Sequence, residues 1–70
     1  MADETGWVIE RYLHSVQHYW GGHDANDWRL SADEAIRFAR EQDGAVILAY
    51  TLEGIGRVAQ HMWVGAANGG

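Results

Sequence analysis

The sequence predicts an α+β fold built on a small antiparallel sheet. Three observations carry this expectation. Two short runs near the start, "WVIERYL" (7–13) and "VQHYW" (16–20), are rich in β-branched and aromatic residues. Residues 31–42 follow helical spacing behind a helix-start signature. A last run, "RVAQHMWV" (57–64), returns to strand composition.

The first strand would carry Trp7, Ile9, Arg11 and Leu13 on one face and Val8, Glu10, Tyr12 and His14 on the other. Ile9 and Leu13 make the first face the inward one. Ser15 and Gln17 are polar enough for a connection, so the first two strands read as an antiparallel hairpin. Gly21-Gly22 ends the second strand. "HDAND" (23–27) reads as a loop, because Asp and Asn bond their own backbone in turns.

"SADEAIRFAREQDG" opens with Ser31 and has Glu34 three residues on, the pattern of a capping box. Ala32, Ala35, Ile36 and Ala39 recur at helical spacing, and Phe38 widens the apolar stripe. Asp33–Arg37 and Arg37–Glu41 are i,i+4 pairs on the polar side. A helix over 32–42 is expected. "DGAVILAYTLEG" (43–54) leaves two options. Val, Ile, Tyr and Thr favour a strand, while Ala45, Leu48, Ala49 and Leu52 keep helical spacing. Gly44 could end the preceding helix. In the final strand Val58, Met62 and Val64 share a face, with Arg57, Ala59, His61 and Trp63 on the other.

Seventy residues make one domain. Residues 7–64 are expected to be ordered, with 1–6 a flexible N-terminus and 65–70 a flexible small-residue tail. A core of this size supplies roughly 3–5 kcal/mol of net stability. There is no Cys, which excludes disulfides and thiolate metal sites and fits a cytoplasmic protein. Four Trp, three Tyr and one Phe compensate with packing area. The longest apolar run, Ala45 to Tyr50, falls far short of the ~20 residues of a membrane span. "MADETG" is acidic and polar, unlike a secretory signal. The formal net charge is −5 and there is no Lys, so no basic face exists for direct nucleic-acid binding.

The ordered set W-V-I-E-R-Y (7–12), Y-W (19–20), W (28), A-I-R-F-A-R (35–40) and R-V-A-Q-H-M-W (57–63) resembles small proteins of bacterial phages and prophages. The resemblance covers roughly residues 7–63. Gln60 stands where the relatives carry Glu, and Gly44 where they favour a helix former. The resemblance implies a helix at 44–52 and hence β-β-α-α-β. That is a three-stranded antiparallel sheet with two helices on one face and the final strand beside the first. The fallback is β-β-α-β-β, with 45–52 and 57–64 as a hairpin.

The constellations that could carry chemistry are thin. His18 and His23 could converge with Asp24 or Asp27, but no HExxH or Cys-His spacing supports a metal site. His14 and His61 could face each other across the first and last strands as a structural contact. Ser31 is taken by the helix cap, and Ser15 points away from its neighbour His14. No phosphate loop or nucleophile elbow is present. No catalytic residue, metal ligand or cofactor is therefore assigned. The four Trp could stack bases only beside a basic groove, so they are read as core, with Trp28 packing under the loop before the helix.

Charge is the feature that points outward. Asp24, Asp27, Asp33 and Glu34 against Arg29 leave a net −3 within residues 24–34. Solvation and the helix dipole would account for such charges without a partner. Taken with the phage resemblance, they give an expectation of a non-enzymatic, cytoplasmic inhibitor of an anti-CRISPR type acting in the bacterial host cell. Asp24, Asp27, Asp33 and Glu34, with Glu41 and Asp43 as support, would occlude the basic nucleic-acid channel of a defence protein such as a Cas subunit, as a DNA mimic. No direct nucleic-acid or membrane partner is expected, and the chain would be a monomer or a homodimer. The alternative is a small structural or regulatory interaction module with no role in defence inhibition, one form of which would be a homodimer using a sheet edge or an exposed Trp.

Overall fold

The computed structural model describes residues 4–63. The expected tail at 65–70, and residues 1–3 of the expected flexible start, lie outside them. Residues 4–6, expected to be loose, instead begin the first strand.

The chain forms β1 (Glu4–Leu13), β2 (Val16–Trp20), β3 (Trp28–Arg29), a 3-10 turn (Ala32–Glu34), α1 (Glu41–Tyr50) and β4 (Arg57–Trp63). The strands make one antiparallel sheet in the order β3-β2-β1-β4. The α+β class therefore holds, with four strands rather than three and one α-helix rather than two. Neither expected element order is realised. The strand not foreseen is β3, where Trp28 pairs with Trp20 and Arg29 with Tyr19.

The β1–β2 hairpin turns on His14-Ser15, with Leu13 opposite Val16. Both turn residues have positive φ, 52° and 68°, as a two-residue hairpin turn that follows the strand twist requires. β4 lies on the other side of β1, with Ile9 opposite Val58 and Gly6 opposite His61. His14 and His61 are therefore not partners: His14 is spent in the turn, and the ring of His61 meets Tyr19 and Trp63 edge-on.

β1 is central and covered on both faces, so its polar-apolar alternation disappears. Val8 and Ile9, adjacent and therefore on opposite faces, are both 0% exposed. On the Ile9 face, Trp20 and Leu52 are buried, with Trp28, Phe38, Ile47, Leu48 and Val58 packed around them. On the Val8 face, Ala32, Ala35 and Trp63 are buried, with Tyr19 against them. α1 covers the first face and the 3-10 turn the second. The expectation of two helices on one face fails here.

The expected helix 32–42 is replaced by the 3-10 turn followed by an extended passage. Ser31 Oγ does accept from an amide of the first turn, Asp33 N at 3.1 Å. Glu34 does not reach back to complete the box; it turns to Arg29 instead. The cause lies in the sheet. β1 runs back beyond the end of β2, leaving its edge near Trp7 unpaired. Phe38 fills it with two backbone hydrogen bonds to Trp7, both 2.8 Å, and Ile36 N donates to Trp20 O at 3.1 Å. Backbone groups left unpaired there would cost more than the helix would return. The passage also carries the chain across the sheet, and only then does α1 begin.

Candidate functional site

The expected acidic site falls on the loop 21–27, β3 and the 3-10 turn, which are tied together. Asp24 Oδ1 accepts from Asn26 N at 2.8 Å, and its carbonyl accepts Asp27 N at 3.1 Å and Trp20 Nε1 at 2.7 Å. Trp28 Nε1 donates to Ala25 O at 3.1 Å. Two indoles thus hold the loop from below, the role expected of Trp28 alone.

Asp27 closes the loop. Its Oδ2 accepts from His23 N at 2.9 Å, and its Oδ1 meets Arg29 Nε at 2.5 Å. Arg29 also reaches Glu34 Oε1 at 3.4 Å. The Arg29 hydrogen bond, followed by that from the His23 amide, lowers the Asp27 pKa below the usual carboxylate value. The same contact with Asp27 raises the Arg29 pKa. Gly21 is needed beside this pair, since a Cβ there would fall 2.6 Å from Asp27 Oδ2. Gly22 has φ +94°, where L side chains are strained, and Ile36 packs directly over it.

The six expected partner-binding residues do not form one patch. Asp24, Asp27 and Glu34 are drawn together through the loop and Arg29, with Asp33 beside Glu34 in the turn. Glu41 and Asp43 begin α1, which covers the opposite face of the sheet. Asp43 pairs there with Arg40 at 3.1 Å. Asp33 and Glu41 are exposed and form no ion pair with a described residue. Asp24 is likewise free of any described cation. Asp24 and Asp33 thus carry two unneutralised charges of the loop and turn, while Asp27 and Glu34 share one guanidinium and retain a third between them.

A second polar cluster was not foreseen. Glu10 is 7% exposed, and Gln17 Nε2 donates to its Oε2 at 2.5 Å. Arg57 donates to Oε1 through Nε at 2.7 Å and Nη2 at 2.6 Å. Glu10 faces Arg57 directly in the β1–β4 register, and Gln17 is its diagonal neighbour on β2. With Arg11, Tyr12 and Gly56, these residues line an open groove of about 430 Å³. The available signal was a lone carboxylate in an apolar strand, which requires a cation once buried. Which cation depended on a register the sequence does not state.

Among the described residues no group of three or more His, Asp or Glu side chains could hold a metal ion. His18 Nδ1 is bonded to Val16 O at 2.8 Å, and the backbone amide of His23 serves Asp27. No helix of the described residues is long and apolar enough to cross a membrane. Comparison with protein families, curated proteins and solved structures finds no match to this chain.

Proposed function

We propose that this chain is a non-enzymatic binding protein of phage type, acting in the bacterial cytoplasm as an inhibitor of a CRISPR-Cas-type defence complex. Its acidic loop and turn occupy a basic surface that otherwise holds the phosphate backbone. The observation that supports this reading is the bracing of the loop and turn that carry the acids: Arg29 joins Asp27 to Glu34, Asn26 N holds Asp24 Oδ1, two indoles donate to the loop backbone, and Asp33 stands free beside Glu34. Acids held in place lose little conformational freedom on binding, so their charge is available for affinity. Asp24 and Asp33 make the direct contacts. Asp27 and Glu34 fix the frame, and Glu41 and Asp43, on the other layer, stand outside the interface.

The experiment is calorimetry or pull-down against purified CRISPR effector complexes at several salt concentrations. Binding that weakens with salt, and falls by about tenfold or more in Asp24→Lys/Asp33→Lys, is expected. Binding unchanged by charge reversal at Asp24, Asp27, Asp33 and Glu34 together, or absent from every complex, overturns the reading.

A further inference from the structure

We propose that the protein forms a two-fold homodimer in which β4 pairs antiparallel with β4 of a second copy, centred on Gln60. This goes beyond the defence reading and does not depend on it.

The two edges of the sheet are unequal. β3 closes one with only two residues, whereas β4 closes the other with seven. Among the described residues, none hydrogen-bonds to β4 from its outer side. A strand of that length presents a row of backbone donors and acceptors, a ready template for another strand. Proteins that keep such an edge solitary guard it with Pro, Lys or a bulge. The chain has neither Pro nor Lys, and β4 pairs with β1 without interruption from Arg57 to Trp63. Its one full charge, Arg57, is turned onto Glu10.

The composition of β4 selects a second copy as the occupant. The chain carries a net −5, so two copies repel through most of their surface. Residues 57–63 contain no carboxylate at all, so this edge is where a second acidic chain approaches at least cost.

Symmetry then fixes the register. A two-fold axis perpendicular to the sheet keeps each face continuous, so residues opposite one another must share a face. The axis must therefore pass through a single residue. Centred on Ala59, it sets Arg57 against His61. Centred on His61, it sets that histidine against itself. Centred on Gln60, it pairs the full strand and opposes no two basic groups. Arg57 then lies opposite Trp63, Val58 opposite Met62, Ala59 opposite His61, and Gln60 opposite Gln60. The two Val58–Met62 pairs set apolar side chains opposite one another, which is favourable across strands. The arrangement also gives a cross-strand partner to Met62, which is 53% exposed on the single chain.

Sedimentation equilibrium of the full chain tests this. A mass twice that of the 7.8 kDa chain is expected. Gln60 is exposed, so Gln60→Lys and Gln60→Glu should leave the fold unchanged, checked by circular dichroism. Each variant alone places like charges face to face at the axis and should sediment as a monomer. Mixed, the two should recover the dimer, because only the Gln60-centred register brings them together. A monomeric native chain, a Gln60→Lys chain that remains dimeric, or a mixture that stays monomeric overturns the proposal.

Discussion

Gly44 of α1 lies against Val58 of β4 in a contact that a side chain could enter only if Val58 or Phe38 gave way by a few tenths of an ångström. A Cβ on Gly44 would stand 3.2 Å from Val58 Cγ1 and 3.3 Å from Phe38 Cδ2. Inside a helix Gly costs up to ~1 kcal/mol relative to Ala, so the close approach is what this residue supplies. Gly44→Val should destabilise by roughly 1–3 kcal/mol through overpacking. Gly44→Ala should recover the helix gain only when Val58→Ala opens the space. Urea unfolding of the four chains in that cycle measures the coupling, and additive effects would refute the packing account.

Arg57 secures the buried carboxylate of Glu10. Arg57→Ala leaves that group with Gln17 as its one remaining side-chain donor, at a cost of about 1–3 kcal/mol. The double variant Glu10→Leu/Arg57→Leu should be more stable than Arg57→Ala, since no buried charge is then left unpaired. Chemical denaturation ranks the two.

Acid should loosen the loop 21–29 through Asp27. Its folded-state pKa lies below the unfolded value, so the stabilisation is full above the unfolded pKa and is lost as pH falls through the folded one. The relevant window is therefore below about pH 4. Emission from Trp20 and Trp28, whose indoles hold the loop, should shift there in the native chain. The corresponding Asp27→Asn chain should lack that step.

The hairpin turn is sterically costly as it stands. His14 and Ser15 both occupy positive φ without being Gly or Asn. His14→Asn with Ser15→Gly supplies the preferred pair for such a turn and should stabilise by about 1–2 kcal/mol. Thermal unfolding would register the gain as a higher Tm, and a lower Tm would show that the native side chains contribute more than their backbone strain costs.

Strand positions were legible because their composition and their turns agree. Val16–Trp20 begins and ends where β-branched and aromatic residues and Gly21 place it, and β4 begins at Arg57 as read. The segment after Ser31 was misread for a reason outside itself. Its Ala spacing and its Ser31–Glu34 pair are helical locally, but the vacant edge at Trp7 and the charge of Arg29 claim Phe38 and Glu34. Gly44 read as a terminator because local propensity cannot see Val58 approaching from another strand. The acidic loop was visible as charge. Its division into free and braced carboxylates was not, since Arg29 sits between Asp27 and Glu34 only after β3 has formed.

The extended passage after the 3-10 turn works as a buckle. Ala32 and Ala35 fasten it to one small core, and Phe38 to the other, with Ile36 and Phe38 stitched to β2 and β1 between them. α1 covers one side of the sheet and the 3-10 turn the other, and this passage is what joins the two covers. A single nick between Ala35 and Phe38 would undo both together, so two cores that never touch should melt as one.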